Sequence, residues 1–131
     1  MLRPKPTSGM RHVALLVNKL EACERFYVDL LGMQVEWRPD KNSVYLSSGN
    51  DNLALHRAGA ETTGPQRLDH IGFIIDDIDQ VDEWYDFLRA HDIKMKTAPK
   101  THRDGARSFY CYDPEGTTVQ IIHHPPIVLQ N

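Results

Sequence analysis

The chain has 131 residues, a formal charge of −3 at pH 7 and a pI near 6.1. That length argues for one domain, and the charge balance, with no basic block interleaved with aromatics, gives no case for nucleic-acid binding. No apolar run reaches the roughly 20 residues of a membrane helix, and residues 1–9 are polar and proline-containing, unlike a signal peptide. A soluble cytoplasmic protein without membrane partners is therefore expected. Cys23 and Cys111 are too few and too scattered for a disulfide framework, a metal knuckle or a redox CxxC, and read as reduced packing residues.

Residues 1–10 read as a flexible arm. A histidine then opens a short apolar run over 11–17, of strand length. Alternation sets His12, Ala14 and Leu16 on one face and Val13, Leu15 and Val17 on the other. Asn18 with Glu21 makes an N-capping pair, Leu20, Cys23, Phe26, Tyr27, Leu30 and Leu31 form a helical apolar stripe, and Gly32 ends the helix. Strands are expected at 33–38, 43–47 and 52–57, separated by polar turns at 39–42 and 48–51. This is one βαβββ module over 11–57. Residues 58–67, with Gly59, Gly64 and Pro65, read as a linker.

The pattern then recurs. A strand at 68–75, a helix at 78–90 capped by Asp76 or Asp77, and a strand at 93–97 are followed by a loop at 98–106. Strands at 107–112 and 117–122 flank the turn Asp113-Pro114-Glu115-Gly116. Pro125 and Pro126 take the tail, 124–131, out of the sheet. Sliding residue 12 onto residue 70, a shift of 58, aligns Leu20 with Ile78, Cys23 with Val81, Phe26 with Trp84, Tyr27 with Tyr85, Leu30 with Leu88 and Val35 with Ile93. An internal repeat of this length is architectural evidence, and it makes the second module 68–123.

Two βαβββ modules opening with histidine strands, the helix ending Phe26-Tyr27 then Leu31-Gly32, and the Asp113-Pro114-Glu115-Gly116 turn resemble the vicinal oxygen chelate superfamily of glyoxalases, bleomycin-resistance proteins and extradiol dioxygenases. The resemblance spans 11–123. It implies an α+β fold in which two tandem modules curl mixed sheets around a shared cleft with helices outside, and it implies a homodimer. It also implies a divalent metal, iron, zinc, nickel or manganese, held by inward ligands from the first and last strand of each module. By position these are His12, Ala54, His70 and Gln120. Ala54 cannot ligate and Gln120 stands where the family has a glutamate, so a site without metal is an open alternative.

His56, two residues beyond Ala54, shares its face and is a further ligand candidate beside the simpler reading of a strand-end histidine. His12 and His70 are ligands or hydrogen-bonded cleft histidines, and Gln120 is a ligand and catalytic group or a structural amide. Tyr110, placed with Ser108 and Tyr112 opposite Phe109 and Cys111, is a candidate acid or an aromatic lining the sheet. His102, Arg103 and Arg107 are candidates for binding a substrate carboxylate or phosphate, against ordinary solvated charges. Trp84, Tyr85, Phe87 and Leu88 read as helix packing, and His123-His124 point apart if extended. The expected function is a small metal-dependent lyase, isomerase or dioxygenase acting on a compound with adjacent oxygens. The alternative is a bleomycin-resistance type protein that binds a small molecule without chemistry.

Overall fold

A computed structural model of the chain describes residues 2, 10–59, 68 and 70–125. The residues read as linker at 60–67, Asp69, most of the arm and the tail beyond 125 lie outside that set. The chain divides into two compact units, 1–62 and 63–131, each a mixed sheet of four strands with one helical segment.

In the first unit β1 (His12–Val17) is followed by α1 (Leu20–Arg25), a π-helical continuation (Phe26–Leu30), β2 (Gln34–Asp40), β3 (Ser43–Ser47) and β4 (Asn52–Arg57). The sheet order is β1-β4-β3-β2, with β1 parallel to β4 and the remaining pairs antiparallel. Alternation sorts the strands as read: Leu15, Val17, Val44, Leu46, Leu53 and Leu55 are buried with Leu20, Cys23, Phe26 and Tyr27 of the helix. His12, Ala14 and Leu16 lie on the opposite, open face. Leu31 N–H bonds Phe26 O, an i to i+5 step, and the widened turn seats Phe26 edge-on against Tyr27 with both rings buried. Gly32, at φ +82°, ends the segment as expected.

The N-cap position is Lys19, one residue beyond the expected Asn18, with no side-chain cap bond, and the Glu21 carboxylate is taken by the guanidinium of Arg57 on β4. Arg38 of β2 grips Glu24 in the same way, Nη1 to Oε1 at 2.7 Å and Nη2 to Oε2 at 2.9 Å. Two arginine forks thus tie α1 to two strands. β2 itself is exposed along its length, and its charges and Pro39 mark an edge that resists further pairing.

The second unit comprises β5 (Ile71–Ile74), α2 (Gln80–Ala90), β6 (Lys100–Thr101), β7 (Arg107–Tyr112) and β8 (Thr118–His123), in the order β5-β8-β7-β6. Val81, Leu88, Phe109, Cys111, Val119 and Ile121 form its core, with Tyr85 edge-on against Phe109 at 5.3 Å. The helix starts at Gln80 rather than Ile78, because Asp77 Oδ1 accepts from Asp79 N–H in a turn that precedes it. The strand expected at 93–97 is reduced to a single bridge, Met95 with Cys111. Lys96 and Thr97 N–H both point at Tyr110 O, and Thr97 Oγ1 accepts Tyr110 N–H, so the ladder cannot alternate. Pairing resumes beyond Pro99 as β6, inside the segment read as loop. The Asp113 turn is built as its residues require: Asp113 Oδ1 accepts from Glu115 and Thr117 N–H, and Gly116 takes φ +91°.

Replacing Phe109 with alanine removes a fully buried ring and is expected to cost roughly 3–5 kcal/mol in urea unfolding. The arginine forks make an acid-side prediction. Hydrogen bonds from Arg57 and Arg107 hold Glu21 and Asp82 below the usual carboxylate range. Their contribution to stability is present above the unfolded-state value and is lost as pH falls toward the folded one. Arg107→Gln should flatten the decline of stability on acidification, read from melting curves across the carboxylate range.

Candidate functional site

The open faces of the sheets carry His12, His56, Tyr110 and Gln120 of the sequence-predicted side chains, and the two faces are organised differently. In the first unit the register sets His12 beside Asn52, Ala14 beside Ala54 and Leu16 beside His56. His12 Nδ1 lies 2.7 Å from Asn52 Oδ1, and Asn52 Nδ2 donates to Glu36 Oε1 at 3.3 Å. His56 Nδ1 lies 2.9 Å from Ser43 Oγ, and its ring meets Tyr45 edge-on. Tyr45 in turn stacks on Trp37 at 5.3 Å and 21°, and Trp37 is 59 % exposed.

Strand period alone would set Glu36 and Trp37 on opposite faces. A bulge prevents this: β2 advances two residues, Val35 to Trp37, while β3 advances one, Leu46 to Tyr45. Val35 and Arg38 therefore belong to the helix side, and Glu36 and Trp37 both reach the open face. Glu36 also lines a cavity of about 400 Å³ with Gly32, Gln34, Val35, Ser47, Ser48 and Gly49, within the size range of small-ligand pockets. Glu36, Trp37 and Asn52 are not apparent from the sequence, because the bulge breaks the strand period by which faces are read and the Asn52–Glu36 bond joins residues 16 apart.

In the second unit Gly72, Gln120 and Tyr110 fall in one row. Gln120 Nε2 donates to Tyr110 Oη at 3.1 Å, and the His70 ring stands edge-on to Tyr110 at 5.3 Å. His70, Tyr110 and Gln120 are thus brought together. His102, Arg103 and Arg107 are not. His102 Nε2 lies 3.2 Å from Ser108 Oγ, on a serine only 2 % exposed. Arg107, the neighbouring residue on β7, turns to the helix side, where Nε and Nη2 fork Asp82 at 2.9 and 2.8 Å and Nη1 bonds Thr101. Arg103 is exposed at the loop tip. His123 Nδ1 lies 3.0 Å from Ile75 O and ties the end of β8 to β5.

The donor chemistry does not fit the four-ligand metal centre that the resemblance implies. Ala54 offers no donor and is fully buried, and Gln120, whose Nε2 donates to Tyr110, brings a neutral amide in place of a charged carboxylate. Among the described residues no three histidine, cysteine or acidic side chains converge on a point where a cation would sit. Cys23 and Cys111 are both buried, and burial, followed by the charge of Asp113, pushes the Cys111 thiol up to about 12. No helix among the described residues is long and apolar enough to cross a membrane.

Comparison with known proteins gives a consistent picture. The family model described as the Glyoxalase/Bleomycin resistance protein/Dioxygenase superfamily matches residues 9–121. Among solved structures, the chain is similar to a lactoylglutathione lyase from Agrobacterium tumefaciens, with 27% identity, a TM-score of 0.76, and coverage of 95% of this chain and 100% of that one. A possible glyoxalase from Bacillus cereus matches with 22% identity and a TM-score of 0.73, covering 88% and 99%. TioX from Micromonospora sp. ML1 matches with 16% identity and a TM-score of 0.73, covering 89% and 99%; these last two share the fold. Among curated proteins none matches.

Both thiols are expected to resist a thiol reagent at neutral pH in the native protein and to react in urea. Labelling of Cys111 without denaturant would contradict the burial described.

Proposed function

Because the chain belongs to the glyoxalase/bleomycin resistance protein/dioxygenase superfamily, we propose that it binds a small molecule on the open faces of its sheets, through hydrogen bonds and aromatic stacking rather than a metal chelate. The observation that carries this is the donor set. A first-row metal chelate is built from several imidazole, thiolate or carboxylate donors at fixed positions, and here the fourth-strand position is Ala54, which has no donor, while the eighth-strand position is a neutral amide in place of a carboxylate. What the faces offer instead is a recognition surface. Trp37 and Tyr45 give a stacked aromatic wall, and Glu36, Asn52 and His12 give a line of hydrogen-bonding groups beside it. Tyr110, whose oxygen already accepts from Gln120, keeps its own proton for a ligand oxygen.

A second reading is a metal-dependent lyase, isomerase or dioxygenase. His12 and His70 occupy equivalent places at the start of the repeat, and the similarity to a lactoylglutathione lyase supports it. Catechol, a flat molecule with adjacent oxygens, separates the two. Binding followed by quenching of tryptophan fluorescence is expected to survive a chelator. Trp37→Ala is expected to lose most of the quenching and to weaken affinity roughly 2- to 10-fold, the scale of one stacking contact. Binding that a chelator abolishes and added metal restores would establish the second reading.

A further inference from the structure

Glu36 is a carboxylate on the first unit's open face, brought there by the β2 bulge, and among the described residues its interaction is with Asn52. A carboxylate at neutral pH accepts hydrogen bonds and donates none. The Asn52 group facing it must therefore be the amide nitrogen, since the opposite orientation would set a carbonyl oxygen against Glu36 Oε1 at 3.3 Å. Once the nitrogen faces Glu36, Asn52 Oδ1 faces His12, at 2.7 Å from Nδ1. A carbonyl oxygen can only accept, so the proton of the neutral ring sits on Nδ1.

We propose that Glu36, acting through Asn52, fixes His12 as the Nδ1–H tautomer and so presents a bare Nε2 lone pair on the open face, making this a site for the O–H or N–H of a small-molecule ligand. Glu36 and Asn52 are positioning residues, and His12 is the group that meets the ligand. The ligand assignment rests on the open face being the binding surface; the tautomer does not. In the second unit the equivalent histidine, His70, stands edge-on to the Tyr110 ring at 5.3 Å. The first unit accepts a proton donor, while in the second Tyr110 offers one.

The test is nitrogen NMR of protein labelled in its histidine rings, above the histidine titration range and without ligand, with His12→Gln identifying the His12 signals. In the wild type, Nδ1 should show the shift of a protonated nitrogen and Nε2 that of a bare one. Glu36→Gln changes no shape and leaves the edge strand intact, but its amide accepts or donates equally well. Asn52 is then free to turn over, and the two His12 shifts should move toward their average. Asn52→Leu should carry them further, toward Nε2–H. Averaged shifts in the wild type, or shifts unchanged by Glu36→Gln, would overturn the proposal. Because no ligand is present, a negative catechol titration would count against the binding reading and leave the tautomer standing.

Discussion

Each unit depends on one constraint: a four-stranded sheet has two faces, and this chain has one short helical segment per sheet to cover them. Period-two alternation gives the helix side Leu15, Val17, Val44, Leu46, Leu53 and Leu55 in the first unit and Phe109, Cys111, Val119 and Ile121 in the second. The other face carries the polar and aromatic side chains His12, Asn52, Tyr45, Tyr110 and Gln120 beside aliphatic ones such as Leu16 and Ile74. A core built this way fixes register strongly, because a slip of one residue would turn every buried side chain outward. That register in turn decides which side chains share the open face.

The arginine forks show how the helices are held. Arg57 with Glu21, Arg38 with Glu24 and Arg107 with Asp82 each join a strand to a helix by paired hydrogen bonds. Such exposed pairs add little stability individually, but paired geometry gives direction as well as attraction. Arg107 illustrates the functional consequence. Its fork is satisfied on the helix side, so it leaves the open face to Ser108 and Tyr110.

Much of this was legible in the chain. The repeat, the alternation around His12 and around Tyr110, the Gly32 helix end and the Asp113 turn depend on contacts within a few residues, and β4 and β7 follow the expected bounds. What escaped depends on pairing across long separations. The Asp82 partner of Arg107 lies 25 residues away, and no local pattern announces it. The strand expected at 93–97 failed because Tyr110 O receives two N–H groups, a feature of register rather than composition. The bulge that unites Glu36 with Trp37 breaks the very periodicity by which strands are read. The candidate histidines, Tyr110 and Gln120 were visible as residues, but their partners, Asn52 with Glu36 and Tyr110 with Gln120, were visible only as structure.

The central claim is that this member of the superfamily has a ligand face whose donor set no longer makes a metal chelate. Its most direct test is elemental analysis of protein purified without chelator and dialysed against limiting iron, zinc, nickel or manganese, alongside an Ala54→Glu, Gln120→Glu double variant. The account predicts well under one metal per chain in the wild type and a clear gain in the variant. One tightly held metal per wild-type chain would contradict it.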